Sequence, residues 1–208
     1  MDLGRFVALR PYLFHLTASA NVARIRRTGS IESAARLFAA SARTDLLRVR
    51  RTQSQVVRID GDDVHIRDQS PLHPGNMVLG SGLSFEDFVQ SLNERVFFWP
   101  GTAAGPIAYG VRHFERYRSE HPALVRVLTA SLLAANPDVV PLFCRFNSGS
   151  PRCTNGNPSP RGGDTFRPAA DSDFAAGRVV EITYPERVHL PPDAEVGAEP
   201  TGPWASLS

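Results

Sequence analysis

The chain of 208 residues contains no lysine, so all 23 of its basic side chains are arginines. Its two cysteines, Cys144 and Cys153, are too few for a disulfide scaffold or a four-ligand zinc site. The six histidines show no metal-ligand spacing, so we predict no bound metal. No apolar run approaches the ~20 residues that span a bilayer, and no signal peptide opens the chain. These absences predict a cytoplasmic protein without a membrane partner.

Three common functional motifs are also missing: the Walker phosphate loop, the dinucleotide-binding glycine fingerprint and the nucleophile elbow. What the chain does contain is the composition of an ordinary globular protein, with 42% hydrophobic and 21% charged residues. Its net charge is only +2, but nine arginines lie between residues 21 and 58 against Glu32 and Asp45. Such an excess fits either a solvated basic face or a surface that binds phosphate or nucleic acid.

The hydrophobic pattern places helices mainly in the first half of the chain and strands mainly in the second, which is typical of the α+β class. One predicted helix ends at Gly29, and the others span residues 31–42, 84–92 and 103–119. Ser30 is the predicted cap of the helix at 31–42, and Ser84 is that of the helix ending at 92, with Asp87 at the capping-box position. The predicted strands span residues 12–17, 55–59, 64–67, 95–99, 124–128, 139–146 and 178–184, and Asp60-Gly61-Asp62-Asp63 is a hairpin turn signal between the second and third. The irregular stretch 147–177 is long enough to be either functional or disordered. We expect one domain over residues 1–191 and a disordered tail over residues 192–208.

Three predicted strands carry polar residues within an apolar frame. His15 and Thr17 share one face of the first strand, and His15 needs a partner because burying an unpaired polar group costs roughly 1–3 kcal/mol. That partner is either another part of the protein or a ligand. Glu181 in the last strand either points at solvent or faces a cleft, where a carboxylate can act as a base or stabilise a cation.

The mid-chain strand and the segment after residue 146 are further candidates. Phe97 and Phe98 fit a hydrophobic core, whereas Trp99 lies at a strand end before Pro100-Gly101 and is expected to line a pocket. Asn147-Ser148-Gly149-Ser150 follows a predicted strand directly. Its backbone N–H groups either cradle an anion or form an ordinary turn.

Together these segments resemble the ADP-ribosyltransferase superfamily, and within it the DNA-targeting enzymes of the DarT type. The strand with His15-Leu16-Thr17 resembles the His-x-Thr strand with which those enzymes begin. Their mid-chain aromatic strand resembles Val96-Phe97-Phe98-Trp99-Pro100. Their last strand, which begins with a glutamate, resembles residues 181–188. From about residue 10 to 190 the chain is also similar to an uncharacterised bacterial family placed near that superfamily. The pieces that carry this second similarity are residues 66–69, 92–99, 146–150 and 161–166.

The resemblance implies a split, strongly bent β core with NAD⁺ as co-substrate between two small sheets. It implies that Glu181 binds the ribose 2′-OH and stabilises positive charge as nicotinamide departs. It further implies that His15 and Thr17 bind the ribose and that Phe98 or Trp99 stacks on nicotinamide. The other NAD-binding positions would be Leu16, Arg95, Asn147 and Ser148.

The resemblance also bears on the acceptor of ADP-ribose. DNA or RNA would fit the arginines, with Arg50, Arg51, Arg152, Arg161 and Arg167 as acceptor-binding positions, while protein acceptors stay open. A counteracting antitoxin or ADP-ribosyl hydrolase is an implied partner. Val179, two positions before Glu181, argues against the arginine-modifying subclass with its paired glutamates.

Two alternatives stay open. An RNA 2′-phosphotransferase would need arginines and serines around a 2′-phosphate, and the sequence alone does not locate that set. The other alternative is a degenerate transferase fold that binds nucleic acid or a partner protein without catalysis.

Overall fold

The computed structural model describes residues 1–208, which form six α-helices and fifteen strands. The helices are α1 (Leu3–Leu9), α2 (Val22–Thr28), α3 (Ala34–Ala40), α4 (Phe85–Asn93), α5 (Ala108–Tyr117) and α6 (Thr129–Ala135). The strands are β1 (Tyr12–Ala18), β2 (Ser30–Glu32), β3 (Gln55–Ile59), β4 (Asp62–Ile66), β5 (Met77–Leu79), β6 (Arg95–Thr102), β7 (Gly105–Pro106), β8 (Pro122–Leu128), β9 (Leu142–Cys144), β10 (Ser159–Arg161), β11 (Arg167–Pro168), β12 (Glu181–Pro185), β13 (Arg187–His189), β14 (Glu195–Gly197) and β15 (Ala205–Ser206). Helices pack on a largely antiparallel sheet, so the α+β prediction is confirmed. None of the helices combines the length and the apolar character that crossing a membrane requires.

The main sheet has nine strands in the order β11-β9-β12-β6-β1-β8-β14-β15, with β7 attached to β6. Its central strand, β6, changes partner along its length. The first half of β6 pairs with β12, from Arg95↔Pro185 to Phe98↔Ile182. The second half pairs with β1, from Trp99↔Phe14 onwards. Two half-sheets therefore share one strand, and β1 and β12 end their pairing with it at the same point.

The largest hydrophobic cluster lies on one face of this sheet. Leu13, Phe98 and Ile182, from the three central strands, are completely buried in it. Phe6 of α1 and Leu132 of α6 cover them. A second cluster on the opposite face contains Phe14, Leu16 and Trp99 with residues of α5. Side chains alternate between these faces along each strand, so both faces of the centre of the sheet are covered.

Several predicted elements have different bounds in the structure. Ser30 does not cap a helix, because residues 30–32 pair with β13 and the cap is Ser33, whose hydroxyl accepts from the N–H of Arg36. The strand predicted to stop at Trp99 continues through Pro100-Gly101 and turns back into β7. α5 consequently begins at Ala108 and not near residue 103. The hairpin turn at Asp60-Gly61 is confirmed, with both residues at positive φ as a tight two-residue hairpin requires.

Residues 192–208, for which the sequence predicts a disordered tail, are ordered in the structure. β14 pairs with β8 along the outer edge of the sheet, and β15 pairs with β14. Leu207 is buried in the main cluster. The prediction of disorder was wrong because the tail is rich in Pro and Gly, yet a few apolar residues and an available sheet edge suffice to order it.

Candidate functional site

A cavity of about 300 Å³ lies where β1 and β12 part from β6. Its volume is within the range of small-molecule sites. Segments from the whole length of the chain, from His15 to Glu181, contribute to its wall. Of the predicted site residues it brings together His15, Leu16, Thr17, Arg95, Trp99, Asn147, Ser148 and Glu181, and Arg51 also lines it.

His15 is the first residue of β1 beyond its pairing with β6. Its Nδ1 lies 2.9 Å from the carbonyl oxygen of Phe97 in β6. A carbonyl oxygen only accepts, so Nδ1 carries the proton and Nε2 is left as an acceptor. Burial lowers the pKa of His15 to about 4, so the ring is neutral at physiological pH. His15 thus has both a protein partner and a free acceptor atom for a ligand hydroxyl.

Thr17 joins β1 to the hairpin of β3 and β4. Its hydroxyl accepts from the amide of Asn21 at 3.1 Å, and the same amide donates to the carbonyl of His65 at 2.8 Å. The N–H of His65 in turn donates to the Asn21 side-chain oxygen at 2.9 Å. Asn21 therefore fixes the hairpin against the first strand, and β4 becomes a wall of the cavity.

Glu181 is the first residue of β12, and its side chain is 3% exposed. The interpretation in which it points at solvent is therefore wrong. The backbone N–H of Ser148 donates to both carboxylate oxygens at 3.2 Å. Burial nevertheless raises the pKa of Glu181 to about 7, because the adjacent Ser148 hydroxyl, the shared N–H and the more distant Arg161 offset only part of the desolvation. The segment 147–150 does cradle an anion, and that anion is the protein's own carboxylate.

Several polar atoms in the cavity wall have no hydrogen-bond partner. They are the hydroxyl of Ser148, the indole N–H of Trp99 and Nε of Arg95, all buried. Buried polar atoms of this kind are rare in folded proteins, since each lacks the bond it would make in water. All three atoms belong to residues that line the cavity, and the Ser148 hydroxyl lies beside the Glu181 carboxylate.

The aromatic residues are arranged differently from the prediction. Phe98 is completely buried in the main cluster and does not line the cavity, so its assignment as a nicotinamide-stacking residue was wrong. Period-two alternation turns it toward Leu13 and Ile182. Phe97 lines the cavity in its place. Trp99 does line the cavity, but His113 lies against its ring with centroids 4.7 Å apart.

The predicted basic surface at residues 21–58 is mostly neutralised by its own neighbours. Six of its nine arginines form ion pairs, either with Glu32 and Asp45 inside the run or with Asp62, Asp63 and Asp87 beyond it: Arg24, Arg27, Arg36, Arg43, Arg48 and Arg58. Arg50 donates to the carbonyls of Gln69 and Ser70. Arg51 is buried and donates to the side chain of Asn93 at 2.7 Å. Arg51 therefore lies in the wall of the first cavity and is not part of an exposed basic surface.

The remaining predicted acceptor residues separate into two places. Arg152 and Arg161 line a second cavity of about 640 Å³ beside the first. Arg167 lines neither cavity and is ion-paired with Asp164 at 2.8 Å.

Sequence reasoning missed the part of the wall that follows β4. Arg67 lines the cavity with its guanidinium 4.4 Å from the ring centre of Tyr117, and it forms no ion pair. Tyr117 in turn donates to Asp68 at 3.1 Å. The available signal was the Ile66-Arg67-Asp68-Gln69 segment, which belongs to the uncharacterised-family resemblance but carries no motif of known chemistry.

Comparisons with known proteins place the chain in a family without assigning its chemistry. No curated protein and no solved structure matches it. No three His, Cys, Asp or Glu side chains converge as a metal site would require. A model of a family of unknown function, DUF7002, matches residues 11–190, which include every residue described in the first cavity. The chain therefore belongs to the family of unknown function DUF7002.

Proposed function

We propose that the protein is an NAD⁺-dependent ADP-ribosyltransferase whose active site is the first cavity. One observation carries the proposal: His15 and Glu181, from opposite ends of the chain, line one cavity at the point where two half-sheets part. The change of partner along β6 also supports the split β core that the resemblance implies.

The donors and acceptors in the cavity fit a dinucleotide's ribose and amide groups. His15 offers Nε2 as an acceptor, and the Trp99 indole N–H and the Ser148 hydroxyl have no partner within the protein. Arg67 adds a cation without an ion pair. A ligand with hydroxyl, amide and phosphate groups matches this set.

Glu181 is the residue on which the chemistry depends. Bound NAD⁺ would supply a glycosidic bond between ribose and a leaving group that departs as neutral nicotinamide. The Glu181 carboxylate accepts a hydrogen bond from a ribose hydroxyl and stabilises the positive charge that develops on the sugar. In a buried site this interaction is much stronger than in water. Glu181 also accepts the proton that the acceptor's nucleophile releases as its bond to the anomeric carbon forms and the bond to nicotinamide breaks.

His15 and Ser148 position the reacting groups. The neutral imidazole, fixed by the carbonyl of Phe97, holds a ribose hydroxyl without adding a positive charge that would oppose the reaction. The N–H of Ser148 orients the carboxylate of Glu181. Neither group needs to move for this, and such preorganisation is how electrostatic stabilisation becomes effective.

The binding-module alternative requires no buried carboxylate. Glu181 opens into a cavity and is costly to ionise, which is a pattern that clusters at catalytic sites. The basic face on which that alternative depends is largely ion-paired. Both features favour an enzyme.

The test is incubation of the protein with labelled NAD⁺ and, separately, single-stranded DNA, RNA and cell lysate. We expect label to enter one of these fractions with wild-type protein and not with Glu181→Gln. Glu86→Gln is the matched control, since Glu86 is exposed in the first turn of α4 and lines neither cavity. Undiminished labelling by a folded Glu181→Gln protein would contradict the proposal. Transfer of phosphate from RNA to NAD⁺, without label on the RNA, would indicate the phosphotransferase alternative instead.

A further inference from the structure

The second cavity is lined by five arginines that are scattered along the sequence. They are Arg112 and Arg116 of α5, Arg145 after β9, Arg152 in the following loop and Arg161 of β10. Glu115 is the one acidic residue of this lining, and it is ion-paired with Arg118. We call this site the arginine cavity.

None of these five guanidinium groups forms an ion pair. Arg161 is the most informative of them, because it is only 4% exposed and its Nε has no partner. Its other nitrogens donate to Ser159, Pro160 and Asn147, which are neutral groups. Glu181 attracts this guanidinium from a distance but forms no direct ion pair with it, so the buried charge is only partly compensated. The cavity therefore favours an anionic occupant.

Aromatic rings lie among these cations. Arg112 lies 4.7 Å from the ring centre of Tyr109, which is 38% exposed. Arg145 and Arg161 lie 5.1 Å and 4.7 Å from the ring centre of Phe146. Guanidinium groups contact phosphates, and both aromatic rings and stacked guanidinium planes receive bases. This combination is typical of sites for single-stranded nucleic acid.

The arginine cavity adjoins the proposed active site. Pro71, His113, Asn147 and Ser150 line both cavities. Asn147 precedes Ser148, whose N–H holds Glu181, and its carbonyl accepts from Arg161 at 3.0 Å. An anionic chain in the arginine cavity therefore runs toward the Glu181 carboxylate.

We infer that the arginine cavity binds the acceptor strand, a single-stranded nucleic acid whose phosphates contact the four exposed arginines and whose bases stack on Tyr109 and Phe146. This inference rests on the proposed function for the meaning of "acceptor", but strand binding itself can be measured without NAD⁺. The four exposed arginines would contact phosphates and so set the affinity for the strand, with little dependence on base sequence.

The test uses Arg145→Gln/Arg152→Gln, because both side chains are exposed and the variant is expected to fold. Arg43→Gln/Arg58→Gln is the charge-matched control, since these arginines are ion-paired, have side chains 43% and 68% exposed, and lie outside both cavities. Anisotropy of a labelled single-stranded oligonucleotide, measured without NAD⁺ over a range of salt, gives affinity and salt dependence. We expect the first variant to bind the oligonucleotide roughly tenfold more weakly. The slope of log affinity against log salt concentration should also be smaller by about 0.7 for each phosphate that the variant no longer neutralises. The control should bind like wild type.

Two outcomes would overturn the inference. The first is an equal loss of oligonucleotide affinity in both double variants, or no loss in either. The arginine cavity would then not be the site that binds the strand. The second is a weaker NAD⁺ affinity by calorimetry for Arg145→Gln/Arg152→Gln with unchanged strand binding. In that case the cavity would hold the diphosphate of the dinucleotide itself. Retained strand binding in a protein that transfers no label would instead refute the proposed function and leave the strand site intact.

Discussion

Replacing Glu181 with glutamine is expected to stabilise the protein, and to do so only at higher pH. Burial raises the pKa of this carboxyl from 4.5 to about 7. Between these values the folded protein keeps a proton that the unfolded chain has lost, so the free energy of unfolding falls as pH rises. Each pKa unit corresponds to about 1.4 kcal/mol. The ionised carboxylate therefore destabilises the fold by about 3 kcal/mol once the pH exceeds 7.

Glutamine is uncharged and removes this pH-dependent destabilisation. Its N–H₂ group replaces one carboxylate oxygen beside the backbone N–H of Ser148, and any change in that contact is independent of pH. The quantity to measure is therefore the difference in free energy of unfolding between Glu181→Gln and wild type, by urea denaturation from about pH 5 to about pH 8. We expect this difference to grow in favour of the variant by most of about 3 kcal/mol over that range.

The comparison cancels every other titrating group, because both proteins share them. Glu86→Gln again serves as the control, and for this exposed carboxylate we expect a difference that does not change with pH. A flat difference for Glu181→Gln, or one that favours wild type as pH rises, would refute the inference that Glu181 is held in a desolvating site.

Three further predictions follow from the same contacts. Transfer activity should rise with pH through about 7 as Glu181 ionises. The pH–rate profile should show no further change above about pH 5 that is due to His15, because the pKa of that ring is about 4. Gly101→Ala should lower the melting temperature, at a cost of roughly 1–3 kcal/mol, because a Cβ there would meet the Gly105 carbonyl and the ring of Phe14. Removal of residues 194–208 should lower the free energy of unfolding, measured in urea, because Leu207 is lost from the core and β14 from the edge of β8. The expected decrease is at least roughly 2 kcal/mol, the contribution of one buried leucine.

The elements that the sequence predicted well are those whose signals are local. The Asp60-Gly61 turn needs only its own residues to adopt positive φ, and the capping box of Ser84 and Asp87 at the start of α4 lies within one helical turn. Ser30 failed as a helix cap because residues 30–32 pair with a strand more than 150 residues later. Pairing at that distance leaves no trace in the local pattern.

The arginines show the same distinction for function. The dense run at residues 21–58 is conspicuous in the sequence, but six of its nine arginines are ion-paired, three of them with Asp62 or Asp87 beyond the run. The arginine cavity is assembled from five separate positions, of which only Arg152 and Arg161 were predicted to bind an acceptor. Similarly, His15 and Glu181 could be identified as polar residues in apolar strands. Their convergence depends on the register of β6 with its two neighbours.

The central claim is that the cavity between β1 and β12 binds NAD⁺ with its ribose between His15 and Glu181. A crystal structure of Glu181→Gln soaked with NAD⁺ tests it most directly, because the substitution is expected to prevent turnover. We predict electron density for the dinucleotide in this cavity, with ribose hydroxyls within about 3.2 Å of His15 Nε2 and of the side chain at position 181. A saturated crystal with no density in the cavity, or with NAD⁺ bound elsewhere, would contradict the account.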